Sequence, residues 1–136
     1  MKTHLLLAAL ASFVLISTAA CAADVQKIAP AEAAKLVAAG KAVLVDVREP
    51  GEWAESGVAK PAVLLPKSDF DGEQKQWKDF LATVGDKQVI LYCRSGGRSD
   101  AMAAALAKKG LKAASLGRLR DWTGAGLPVR QADEKK

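Results

Sequence analysis

The chain of 136 residues has one histidine, His4, and two cysteines, Cys21 and Cys93. Aromatic residues make up only 5%, so a core has to be built mainly from Val, Leu, Ile and Ala. The basic residues are scattered, with no run in which aromatics interleave, and no nucleic-acid partner is expected. There is no internal repeat and no low-complexity segment after the N-terminal stretch. The longest apolar stretch, Leu5 to Ile16, is interrupted by Ser12 and is short for a permanent membrane span. Length and composition fit one globular domain, with half the residues apolar and about a quarter charged.

The position of the scarce residues gives their scarcity chemical force. Residues 1–23 read as a secretory signal: Lys2 is the positive start, Leu5–Ile16 the apolar segment, and Ser17-Thr18-Ala19-Ala20-Cys21-Ala22-Ala23 the small-residue end. Ala20-Cys21-Ala22 suits a signal peptidase and a soluble exported product. Thr18-Ala19-Ala20-Cys21 alternatively resembles a bacterial lipobox, with Cys21 as a lipidated, membrane-anchored N-terminus. Either route loses His4. The mature chain then has no Ser-His-Asp triad, no Cys-His dyad and no histidine metal ligand. With Cys21 removed or lipidated, Cys93 is the one free thiol, and an intrachain disulfide is excluded.

The rest alternates short apolar runs with helical patterns. Val25–Ile28 reads as a first strand. Pro30 opens a helix that runs through Ala31–Ala39 and stops at Gly40. Ala42–Val47 is a near-continuous apolar run, as in a parallel strand covered on both faces. Glu52–Ser56 reads as one helical turn around Trp53, Ala62–Leu65 as a short strand, and Lys67–Gly72 as a polar loop. Glu73–Val84 is amphipathic, with Trp77, Phe80, Leu81 and Val84 on one face. Gln88–Tyr92 is the next buried strand. A helix follows, with Ser99 as its expected cap and Asp100 in its first turn. Ala113–Leu116 is a last strand, Gly117–Trp122 a loop into a short helix, and Gln131–Lys136 a charged tail expected to be disordered. This alternation predicts an α/β domain over residues 24–130: an open, mostly parallel five-stranded sheet with helices on both faces.

Ligands of such sheets bind beyond the carboxyl ends of the strands, which is where Cys93-Arg94-Ser95-Gly96-Gly97-Arg98-Ser99 falls. Backbone N–H groups of a Gly-rich turn and of the following helix start converge on such a point. A thiol there ionises readily. Gly96 and Gly97 let the chain approach a ligand closely, and Arg94 and Arg98 suit a small anion. The net charge of +5 reads first as a generally basic surface rather than as a functional field. The loop lacks the spacing of a nucleotide-binding P-loop.

These residues resemble the single-domain rhodaneses, a sulfurtransferase family, over about Val25–Arg130. The resemblance rests on Asp46-Val47-Arg48-Glu49-Pro50-Gly51-Glu52-Trp53, on the Cys93–Ser99 loop, and on Trp122 with Gly126-Leu127-Pro128-Val129. Gly57-Val58-Ala59 and Lys60-Pro61-Ala62 stand where the family usually has Gly-His-Ile and Pro-Gly-Ala, and Gly117 where it has a double glycine. Altered local packing is expected there. The resemblance implies Cys93 as the nucleophile, with Arg94, Ser95, Gly96, Gly97, Arg98 and Ser99 as the substrate-binding loop. Asp46 and Arg48 would support the loop from behind, with no metal and no cofactor. It implies transfer of sulfane sulfur, from thiosulfate or another donor, through a Cys93 persulfide to a thiol or cyanide acceptor. The chain would act as a monomer in the bacterial periplasm. A binding or persulfide-carrier module for a protein partner is the alternative. A cysteine phosphatase or arsenate reductase fits less well, because Arg98 stands five residues after Cys93 and Ser99 six, one residue short of the Cys-x5-Arg pattern.

Overall fold

The apolar runs Ala42–Asp46 (β1) and Gln88–Cys93 (β4) lie side by side in parallel, with Ala42 opposite Gln88 and Asp46 opposite Tyr92. They are the centre of a sheet whose edges are Val63–Leu64 (β3), beside β1, and Ala113–Arg118 (β5), beside β4. The structure, a computed structural model, describes residues 24–134. The remaining elements are helices α1 (Pro30–Ala38), α2 (Pro50–Ser56), α3 (Lys67–Asp71), α4 (Lys75–Thr83), α5 (Gly97–Lys108) and α6 (Leu119–Gly124). A short antiparallel pair, β2 (Val58–Ala59) and β6 (Val129–Arg130), completes the order.

Both faces of the sheet are covered, which is why its strands read as continuous apolar runs. Side chains alternate between the faces. Val45, Val89, Leu91 and Cys93 pack toward Trp77, Met102 and Leu106 of α4 and α5. Leu44, Ile90 and Tyr92 pack toward Ala33 of α1 and Trp122 of α6. Cys93 thus belongs to the α5 side by strand periodicity alone.

Several expected elements take a different form. The strand expected at Val25–Ile28 is reduced to one parallel bridge, Lys27 to Ser115, so the sheet has four full strands among the described residues. Pro30 has no N–H to extend a ladder and turns the chain into α1 two residues after Ile28. The polar Lys67–Gly72 stretch is helical over Lys67–Asp71. It brings Asp69 to the start of α4, where its carboxylate accepts the N–H groups of Lys75, Gln76 and Trp77, each at 3.0 Å. The charged tail is held at its start: Arg130 donates to the carbonyls of Gln131 (3.0 Å) and Glu134 (2.7 Å), and also to those of Lys60 and Ala62 (3.0 Å each). The signal segment, Cys21 and the last two residues lie outside the described residues. Among the described residues no helix is long and apolar enough to cross a membrane.

Arg130→Ala is expected to cost about 1–3 kcal/mol, because it strips donors from the carbonyls of Lys60 and Ala62. Urea unfolding measures this, and an unchanged midpoint would show that the clamp contributes nothing.

Candidate active site

Cys93 is the last residue of β4, and α5 begins four residues later at Gly97. Only Arg94, Ser95 and Gly96 make the turn. Gly96 does so with φ of 99°, in the left-handed region that side chains disfavour. In this shape Gly96 N donates to Cys93 Sγ at 3.0 Å. The thiol itself is fully buried. Burial pushes the thiol up, but the backbone N–H and hydroxyl of Ser99 and the N–H groups of Gly96 and Ser95 outweigh it. Cys93 is held below the ordinary thiol range.

Ser99 does not cap α5. Gly96 holds the cap position, and Ser99 sits inside the first turn, fully buried. Its hydroxyl bonds back to Gly96 O at 2.9 Å and lies 3.6 Å from Cys93 Sγ, within reach of a thiol donor. The tight turn leaves no room for Ser99 to stand before the helix.

The two arginines of the loop separate. Arg98 forms a two-pronged ion pair with Glu52 of α2, Nη1 to Oε2 and Nη2 to Oε1, both at 2.7 Å. Its charge is answered there. Glu52 Oε2 also accepts Glu49 N at 2.9 Å, closing a capping box at the start of α2. The bond to Arg98 lowers the Glu52 carboxyl to about 2. Arg94 is exposed and borders an open cavity of about 240 Å³, lined also by Arg48, Glu52, Glu55, Ser56, Leu119 and Arg120. Among the described residues Arg94 and Arg120 form no ion pair. Arg120 was not singled out by sequence reasoning, since nothing local marks it. Glu52 entered only through its motif, because its partner lies 46 residues away.

Asp46 and Arg48 hold the far side. Both are buried, and Arg48 Nη2 meets Asp46 Oδ2 at 2.7 Å while Nε bonds Oδ1 at 3.0 Å. Arg48 also donates to Gly57 O (2.7 Å) and Ser56 Oγ (2.6 Å), so the pair fastens the end of α2 to the end of β1. The guanidinium carbon lies 5.8 Å from the Tyr92 ring centroid. Burial pushes the Tyr92 phenol far up, so it stays neutral, and its oxygen accepts Ala59 N at 2.9 Å. Val58 and Ala59, where the resemblance would place a histidine and an isoleucine, are fully buried in β2. Gly57 is needed: a Cβ there would fall 2.9 Å from Arg130 O.

A covered four-stranded parallel sheet that carries a buried thiol under a glycine turn, at the carboxyl end of a central strand, defines an α/β domain built around one cysteine. The family model for the rhodanese-like domain matches residues 29–122, and the chain belongs to that family. Solved structures agree. A Rhodopseudomonas palustris protein of unknown function, described as a possible tyrosine phosphatase, is 26% identical, with 78% of this chain and 85% of that one covered and a TM-score of 0.64. A rhodanese-related protein from Thermoplasma volcanium is 25% identical over 78% and 98%, with a TM-score of 0.63. The reduced Bacillus anthracis CoADR-RHD is 26% identical with a TM-score of 0.61; 78% of this chain matches only 18% of that longer one. No curated protein matches the chain in sequence.

The Glu52–Arg98 pair carries a pH signature. A carboxyl whose folded pKa is depressed stabilises the fold above its ordinary range, and that stabilisation is lost as pH falls through the folded value. Glu52→Gln should therefore cost about 1–3 kcal/mol at neutral pH and flatten the stability loss between about pH 4.5 and pH 2. Urea midpoints across that range test it, and parallel curves for both proteins would remove the pair from the account.

Proposed function

We propose that the domain is a sulfurtransferase that moves sulfane sulfur from thiosulfate to a nucleophilic acceptor through a persulfide on Cys93. The observation that carries this is the sulfur itself: Cys93 Sγ receives the Gly96 N–H at 3.0 Å and is held toward the thiolate although it is buried. The thiolate attacks the outer sulfur of thiosulfate, the S–S bond breaks, and sulfite leaves with the electron pair. The Cys93 persulfide anion keeps the negative charge under the same N–H groups. Cyanide or an acceptor thiolate then takes the outer sulfur, leaving as thiocyanate or as a persulfide, and Cys93 returns to the thiolate. Charge balances in both steps, and no proton has to be removed once the thiolate exists. A base is therefore not required, in keeping with a mature chain that lacks histidine.

Cys93 is covered, and Arg94 beside it in the chain borders the open cavity. Arg94 and Arg120 supply the unanswered positive charge at the adjacent cavity, and they attract the thiosulfate dianion. Arg98 acts through Glu52 on the shape of the loop rather than as a free charge. Ser95, Gly96, Gly97 and Ser99 bind through the backbone and the hydroxyl.

Phosphate-ester chemistry is the second reading, favoured by the description of the Rhodopseudomonas palustris neighbour. The loop, with Arg98 five residues after Cys93 and occupied by Glu52, supports it less. Export to the periplasm, soluble or anchored at Cys21, rests on the Met1–Ala23 pattern.

Intact mass after thiosulfate treatment should show one added sulfur atom, absent in Cys93→Ser, and the same spectrum reports the N-terminus and any lipid. Cys93-dependent turnover of a phosphate ester, with none on thiosulfate, would overturn the assignment. Arg94→Ala and Arg120→Ala should each raise KM for thiosulfate about three- to tenfold with kcat within about twofold. Unchanged KM in both would leave them as surface charge. The rate at low thiosulfate should rise with pH to a plateau whose midpoint lies below the ordinary thiol value of about 8.5. A midpoint at or above that value would contradict the activated thiolate.

A further inference from the structure

A buried row of hydroxyls runs from the thiol into β5. Ser99 Oγ lies 3.6 Å from Cys93 Sγ, Ser115 Oγ lies 2.9 Å from Ser99 Oγ, and all three residues are fully buried. The backbone of Ser115 is already used, its N–H by Gln26 O (2.8 Å) and its carbonyl by Ile28 N (3.1 Å). Its neighbours in the strand are Ala114 and Leu116. An alanine would complete that apolar run at no hydrogen-bonding cost, whereas a buried hydroxyl has to be partnered. The partner is Ser99.

Each hydroxyl has one proton to give and two lone pairs to receive with. While Cys93 is a thiol, its S–H points to Ser99 Oγ, and the Ser99 proton goes to Gly96 O at 2.9 Å or Gly117 O at 3.2 Å. A thiolate only accepts, so the Ser99 proton has to turn to the sulfur. A hydrogen bond received from Ser115 fills one lone pair of Ser99 Oγ and polarises its O–H bond, which strengthens the donor offered to the sulfur.

We propose that Ser115 is a positioning residue for Cys93, donating to Ser99 Oγ and so directing the Ser99 hydroxyl proton onto the thiolate. Its bearing on catalysis rests on the sulfur-transfer reading, in which that thiolate is the nucleophile. The charged groups around the row are Arg98, held by Glu52 and facing the sulfur, and Asp100, paired with Lys27 and facing the Ser115 hydroxyl. Asp100 makes the sign of the effect diagnostic. Were Ser115 to give its proton to Asp100, Ser99 would donate to Ser115, and removing Ser115 would free a donor for the sulfur.

The test follows the ultraviolet absorbance of the thiolate against pH in the full chain, with the curve of the Cys93→Ser protein subtracted so that Cys21 cancels. Ser115→Ala and Ser115→Val should raise the Cys93 midpoint by about 0.5–1 pH unit. Ser115→Thr, of the same shape as the valine variant but with the hydroxyl, should stay with the wild type. A midpoint that is unchanged or lowered in the alanine and valine variants, or equally shifted in threonine and valine, overturns the proposal. The titration needs no turnover. A shifted midpoint in a protein inactive on thiosulfate would therefore sink the sulfur-transfer reading alone, and an unshifted midpoint in an active one would sink the role of Ser115 alone.

Discussion

A sulfur anion cut off from water has to be stabilised by donors from the chain itself, and the structure around Cys93 follows from that requirement. Desolvation acts against the thiolate, and the N–H groups of Ser95, Gly96 and Ser99 with the Ser99 hydroxyl reverse the balance. Those contacts need a three-residue turn, and the turn needs Gly96 in the left-handed region. It also needs α5 to start at Gly97, directly above the end of a strand buried on both faces. Sheet, turn and helix are thus one device for placing donors around one sulfur.

The two internal ion pairs serve this device from different sides. Asp46 and Arg48 are buried together and tie the end of β1 to α2 and Gly57. A buried pair of this kind gives little net stability over an apolar substitute, but breaking it is costly, so it fixes geometry. Glu52 and Arg98 join α2 to the loop itself and take Arg98 out of the pool of free charge. Arg94 and Arg120, 26 residues apart in the chain, both line the neighbouring cavity, together with Glu55.

The features legible in the sequence were those with a local cause. Two runs of apolar residues announced β1 and β4, because a strand covered on both faces has no polar positions to alternate with. The Gly-rich step after Tyr92 announced the turn and the thiol in it. Less was legible where a local pattern met a tertiary constraint. Ser99 reads as a cap by residue type, yet it is the third residue of α5, with its hydroxyl toward the sulfur. Lys67–Asp71 reads as polar loop, yet it is helical and delivers Asp69 to cap α4. The strand at Val25–Ile28 keeps one rung, because Pro30 takes the chain away.

The sequence by itself determined the α/β class, the single cysteine of the domain, its place at the end of a central strand and the glycine turn above it. These are written in contiguous residues, and short-range sterics and burial periodicity suffice to read them. Only the tertiary structure decided how the sulfur is surrounded. Arg98 meets a carboxylate 46 residues back, Arg120 comes to the cavity from the helix after β5, and Ser115 stands behind Ser99 from a neighbouring strand. Each of these meetings depends on which strands lie side by side and in what register. That is settled by packing across the sheet, and it leaves no mark in the local sequence. The donors that act on the thiol, Ser95, Gly96 and Ser99, are contiguous with it in the chain, while the groups behind the loop come from the fold.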